Sequence, residues 1–229
     1  MTERSSRKLQ LCLVLAVGFL FPFGRSLWIF LGLWHPGPAT GQTFVFKITF
    51  QLVGLLCLYL VLSYRGKRFR DLGLSFAIRL NEIGHSFALF FGAMLGSAIL
   101  GFVLVLIYVL SGRRWEPSLD KAAVFGTTFG ILPLLYVLLN PFYEELIVRA
   151  FLISETEWIY GSTALAVLIS VALQTSYHLY QGLPMALSHI PAFLLFSLYF
   201  VRTRRILPVI LAHMLMDVSA LAIYFHRLH

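Results

Sequence analysis

Six ionisable side chains interrupt stretches that are otherwise apolar. Glu144, Glu145 and Arg149 fall in LLNPFYEELIVRAFLIS (138–154), His178 follows, and His213 and Asp217 close HMLMD (213–217). A carboxylate beside a histidine is suited to general-base chemistry, taking a proton from water as it attacks a carbonyl. The same pair of residue types can ligate a metal, so a zinc route is open as the lesser alternative; H-E-x-x-H is absent. Glu145 and Arg149 are four apart, share a helix face and can neutralise each other. Glu144 is turned about 100° from Glu145, so the same arginine does not obviously neutralise it. His213 and Asp217 are again four apart and can pair on one face.

Charge of this kind is costly because the medium is lipid. Hydrophobic residues make up 59% of the 229 residues and charged residues 12%, with a mean hydropathy of +0.84. A soluble core of 26.0 kDa cannot hide that much apolar surface. The chain therefore reads as all-α: a polytopic membrane helical bundle forming one domain over 1–229. Candidate spans are about 9–33, 43–64, 84–111, 122–157, 161–179, 184–201 and 206–225. That makes seven, or eight if 122–157 is broken at Pro141. The N-terminal apolar stretch resumes after Arg25 without a small-residue cleavage site, so it reads as a retained span. RGKRFRDLGLSFAIRLNEIG (65–84) reads as including a short interfacial amphipathic helix.

The net charge of +8 sits in short clusters between apolar runs. That is a topology signal, and it excludes nucleic acid as the expected partner. Arg4, Arg7 and Lys8 place the N-terminus in the cytoplasm, most simply at a bacterial inner membrane. Arg202, Arg204 and Arg205 return to that side if 122–157 crosses once. Arg113, Arg114 and Lys121 then fall outside, partly offset by Glu116 and Asp120. Arg25 and His85 lie near span ends, where snorkelling accounts for them. Cys12 and Cys57 lie in apolar runs and suit neither a disulfide nor a metal site.

Depth arithmetic brings the polar groups together. Glu144 lies about 16 residues before the turn near Tyr160, and His178 about 17 after it. Both are thus roughly 25 Å along their helices from that turn. His213 and Asp217 lie about 12–18 Å into the last span. His189, near the end of its span, reads as a structural hydrogen-bonding residue.

EELIVR (144–149), His178 on the next span and HMLMD (213–217) together resemble the CAAX-protease and bacteriocin-processing membrane family. RDLGL (70–74) and VRTRRILPVILAHMLMD (201–217) extend the similarity, which covers about 70–225 as a protease-like core after two generic spans in 1–64. The resemblance implies an intramembrane protease that needs no cofactor, with Glu144 as general base assisted by His178. It implies His213 and its partner four residues on as oxyanion stabilisers, and Glu145 and Arg149 as the frame. The implied substrate is a membrane-associated peptide or protein, cut near its membrane-embedded or C-terminal end. The sequence departs from the family at Gln174, where phenylalanine is usual, and at Val148 and Ala150; these substitutions are expected to alter packing. Asp217 stands where asparagine is common. An ionised aspartate cannot donate to an oxyanion, so either it is protonated or it orients His213. A non-catalytic peptide-binding membrane factor is the alternative from another class. A proton-coupled transporter is weaker, since no inverted repeat is visible.

Overall fold

The computed structural model describes residues 2–76, 80–112 and 121–227. Within them every regular element is a helix, and no strand occurs. Six helices are long and apolar enough to cross a membrane. They are α1 (Glu3–Phe30), α2 (Gly41–Tyr64), α3 (Leu80–Leu110), the continuous run Ile131–Tyr160, the run Leu183–Thr203 and α10 (Leu207–His226). The expected span at 161–179 is a shorter apolar helix, α7 (Thr163–Tyr177), of 15 residues. At 1.5 Å per residue that is about 22 Å, less than a full hydrocarbon thickness.

Apolar side chains face outward along the helices, with Leu95, Phe102 and Val109 on α3 all exposed. Surface of this kind is stable against lipid and not against water. The core lies where Ile131–Tyr160 is surrounded by its neighbours, and Ile147, Val148, Phe151 and Ile153 are fully enclosed.

The expected long helix begins later than residue 122. A single turn, α4 (Ala122–Phe125), ends at Gly126, and α5 (Ile131–Glu144) then starts the span. Pro141 neither breaks the span nor ends α5. Proline withdraws one N–H from the helical ladder, and the irregularity falls one turn later. Glu145–Phe151 form a π-helical segment, in which the Leu152 N–H donates to the Ile147 carbonyl five residues back. α6 (Leu152–Tyr160) completes the span and stops at Gly161, which has φ 68°.

The run Leu183–Thr203 is likewise interrupted. α8 (Leu183–Ser188) and α9 (Ile190–Thr203) meet at His189, where Pro191 in the first turn of α9 cannot donate back to α8. In the stretch 65–84, expected to include a short amphipathic helix, the described residues form a 3₁₀ turn, Phe69–Leu72, closed by Gly73 at φ 86°, and the start of α3. A side chain on Gly73 would run into the Arg204 carbonyl. Its own carbonyl accepts the Ile206 N–H at 3.2 Å, so RDLGL is pinned to the start of α10. Residues 77–79 of that stretch, and the charges at 113–120, lie outside the described residues.

Candidate active site

The π-helical segment sets the site. It is buried along its whole length, so every polar group on it must find a partner inside the protein. Glu145 and Arg149 meet as the spacing predicts: Arg149 Nε donates to Glu145 Oε2 at 3.0 Å, with both side chains fully enclosed. The guanidinium is shared further. Its Nη1 donates to Ser170 Oγ at 3.0 Å and Ser197 Oγ at 2.7 Å, and its Nη2 donates to Gln174 Oε1. A fork of fixed N–H groups can hold partners on three helices at once, which a lysine cannot.

The second Glu145 oxygen accepts a hydrogen bond from another helix. His213 Nδ1 donates to Glu145 Oε1 at 2.9 Å, while His213 Nε2 stands 3.6 Å from Asp217 Oδ1. His213 thus lies between two carboxylates rather than pairing with Asp217 alone. Asp217 Oδ2 in turn accepts from Asn140 Nδ2 at 3.1 Å, and Asn140 Oδ1 accepts from Gln51 Nε2 at 2.8 Å. A continuous polar chain therefore crosses the apolar bundle from α2 through α5 and α10 to the π-helical segment.

Glu144 is held separately. Tyr177 OH donates to its Oε2 at 2.7 Å and Gln174 Nε2 reaches the same oxygen at 3.3 Å. Gln174 also approaches Glu145 Oε1 at 3.5 Å. A cavity of about 380 Å³ reaches Glu144, Tyr177, His178 and Asn140, whereas Glu145, Arg149, His213 and Asp217 lie outside its wall. Glu144 is 7% exposed and Glu145 0%. The difference decides which carboxylate can meet a ligand.

His178 caps the C-terminal end of α7. Its Nδ1 donates to the Gln174 carbonyl at 2.8 Å, which fixes the ring and leaves Nε2 for other work. The ring packs between Tyr177 and Phe193, at centroid distances of 4.8 and 5.2 Å. His189 sits 5.7 Å away, ring to ring, with its Nε2 at 3.0 Å from Gln181 Oε1.

Four residues of the network, Gln174, Tyr177, Asn140 and Gln51, have no part in the expectations above, save that Gln174 was expected to alter packing. It instead bonds Arg149 and both glutamates. Only its spacing carried a signal: Gln174 is four residues before His178, on the same face of α7. Cys12 and Cys57 are both free. Among the described residues no three His, Cys, Asp or Glu side chains are placed to hold one metal ion.

No curated protein and no solved structure matches the chain. Residues 126–219, which carry Glu144, Glu145, Arg149, His178, His213 and Asp217, match the family model described as type II CAAX prenyl endopeptidase Rce1-like. The chain is thus similar to the Rce1-like endopeptidase family over the segment that carries these residues.

Proposed function

We propose that this integral membrane protein hydrolyses a peptide bond of a membrane-associated peptide or protein with Glu144 as general base. The observation that carries the reading is the asymmetry of the glutamate pair. Glu145 is enclosed by Arg149 and His213, whereas Glu144 reaches the cavity together with His178.

Both hydrogen bonds to Glu144 fall on Oε2, so Oε1 is the oxygen we assign to the proton. Water attacks the scissile carbonyl carbon as its proton passes to Glu144. The resulting oxyanion needs a preorganised donor. In place of the His213–Asp217 pair we assign this to Asn140, whose amide borders the cavity and is held by Gln51 and Asp217. The C–N bond then breaks, the proton moves from Glu144 to the leaving amine, and His178 Nε2 orients the water. Glu145, Arg149, His213 and Asp217 enter as positioning residues. The route uses no metal or cofactor.

The test compares Glu144→Gln and His178→Ala with the unaltered protein in the host, following the termini of membrane and secreted polypeptides. Loss of specific new termini with normal protein levels supports hydrolysis. Unchanged termini at normal levels would overturn it in favour of a non-catalytic peptide-binding factor.

A further inference from the structure

The two faces of the bundle differ in what they present, and the cavity belongs to one of them. On the first face lie the basic clusters at 4–8, 65–70 and 202–205. Acidic residues of other segments tie them together there. Glu155 pairs with Arg65 at 2.6 Å and lies 3.6 Å from Arg7, Glu157 pairs with Arg204 at 2.6 Å, and Glu82 pairs with Arg205. Between this face and Glu144 the span is closed by fully buried side chains, including Ile147, Phe151 and Ile153.

The second face is reached at the other ends of the same helices. Residues 34–38, in the connection from α1 to α2, border the cavity, as do Ala123 and Val124 of α4. The rim is tied together: the Ala39 N–H donates to the Ala122 carbonyl at 2.8 Å, and Lys47 Nζ lies 3.2 Å from the Val124 carbonyl. Arg25 stands in this vestibule, over the rings of Trp34 and Tyr180 at 5.3 and 6.0 Å. Every connection that borders the cavity thus lies on the face away from the basic clusters.

Clustered Lys and Arg in short connections mark the cytoplasmic side. We propose that the cavity opens on the extracytoplasmic face, so that the substrate is a polypeptide segment presented from that side, after it has crossed or inserted into the membrane. The word substrate rests on the endopeptidase reading; the direction of opening does not. A segment still in the cytoplasm meets only the closed, basic face.

The test uses single cysteines in a Cys12→Ala, Cys57→Ala background and a membrane-impermeant maleimide. His35→Cys marks the rim, Gly37→Cys is a second rim position, Tyr180→Cys marks the cavity wall and Lys67→Cys marks the basic face. The expected result is labelling of the rim and wall positions in intact cells, with Lys67→Cys labelled only after permeabilisation. Labelling of Lys67→Cys in intact cells, with the rim protected, would overturn the orientation. A reactive rim with a wall position that stays protected would overturn the opening. If the labelling is as expected while Glu144→Gln leaves all termini unchanged, the endopeptidase reading fails and the orientation stands.

Discussion

Gln174 Nε2 lies 3.3 Å from Glu144 Oε2 and 3.5 Å from Glu145 Oε1, so one amide on α7 spans both carboxylates of the pair. Its carbonyl oxygen meanwhile accepts from Arg149. Two adjacent glutamates in an apolar bundle would otherwise face each other's charge with a single guanidinium between them. The bridge lets one remain in the frame while the other borders the cavity.

Removing that bridge should therefore destabilise the protein. Gln174→Ala leaves a buried guanidinium N–H and two carboxylate oxygens short of a partner, at a cost of about 1–3 kcal/mol. Gln174→Glu, which adds a third carboxylate, should cost more. Thermal unfolding in detergent checks both; an unchanged midpoint for Gln174→Ala would mean that the amide is peripheral.

Arg149 should be the least replaceable residue of the frame. Arg149→Met leaves Glu145 charged and buried, which costs about 3–5 kcal/mol, enough to abolish accumulation of folded protein in the membrane. Arg149→Lys should recover little, because one ammonium cannot serve Glu145, Ser170, Ser197 and Gln174 from the positions they occupy. Membrane abundance and size-exclusion profiles give the readout.

Tyr177→Phe tests the hydrogen bond to Glu144 alone. The ring stays in contact with Phe19 and His178, so the fold should hold. Loss of one hydrogen bond, about 0.5–1.5 kcal/mol, should lower turnover roughly twofold to twelvefold. Glu144→Gln should cost about 10²–10⁴-fold. Equal losses from the two variants, measured on one substrate, would remove Glu144 from the role of base.

Helix packing around the site offers a test independent of activity. A Cβ on Gly54 of α2 would lie 2.7 Å from Tyr143 Cε2, whereas one on Gly18 of α1 meets Ile147 Cδ1 at 3.4 Å. Gly54→Ala should therefore cost about 1–3 kcal/mol through overpacking, with Gly18→Ala much closer to neutral. Unfolding midpoints of the two variants, compared side by side, decide it.

Chelation should leave activity unchanged. Both nitrogens of His213 face carboxylates, Nδ1 at 2.9 Å from Glu145 and Nε2 at 3.6 Å from Asp217, so a metal bound through His213 would have to displace one of them. Activity of the purified protein after a chelator titration is the measurement. Loss restored by added zinc would make the reaction metal-dependent.

Much of the site was readable from spacing. Glu145–Arg149 is a four-residue pair, and depth counting brought helices far apart in the chain to one level. The partner of His213 was not readable in this way. Asp217 is its neighbour on the same helix, yet the 2.9 Å bond goes to Glu145, and such a contact depends on how two helices are rotated against each other. Pro141 is the position at which the sequence allows the span to break, but the irregular geometry starts at Glu145. A missing N–H marks where a helix is weak, while the surrounding packing determines where it deforms.

The sequence by itself determined the medium and the element type, because runs of about twenty apolar residues are stable only as helices in lipid. It also determined which charges had to be explained, since an ionisable group in such a run must be paired or useful. The four-residue spacing already paired Glu145 with Arg149; only the tertiary structure decided what else surrounds each glutamate. Glu144 and Glu145 are chemically identical neighbours, and they differ because Arg149 and His213 enclose one while Tyr177, His178 and a cavity wall meet the other. That difference arises from side chains of the Ile131–Tyr160 run, α7 and α10 arriving at one depth, and local spacing encodes only the Glu145–Arg149 part of it.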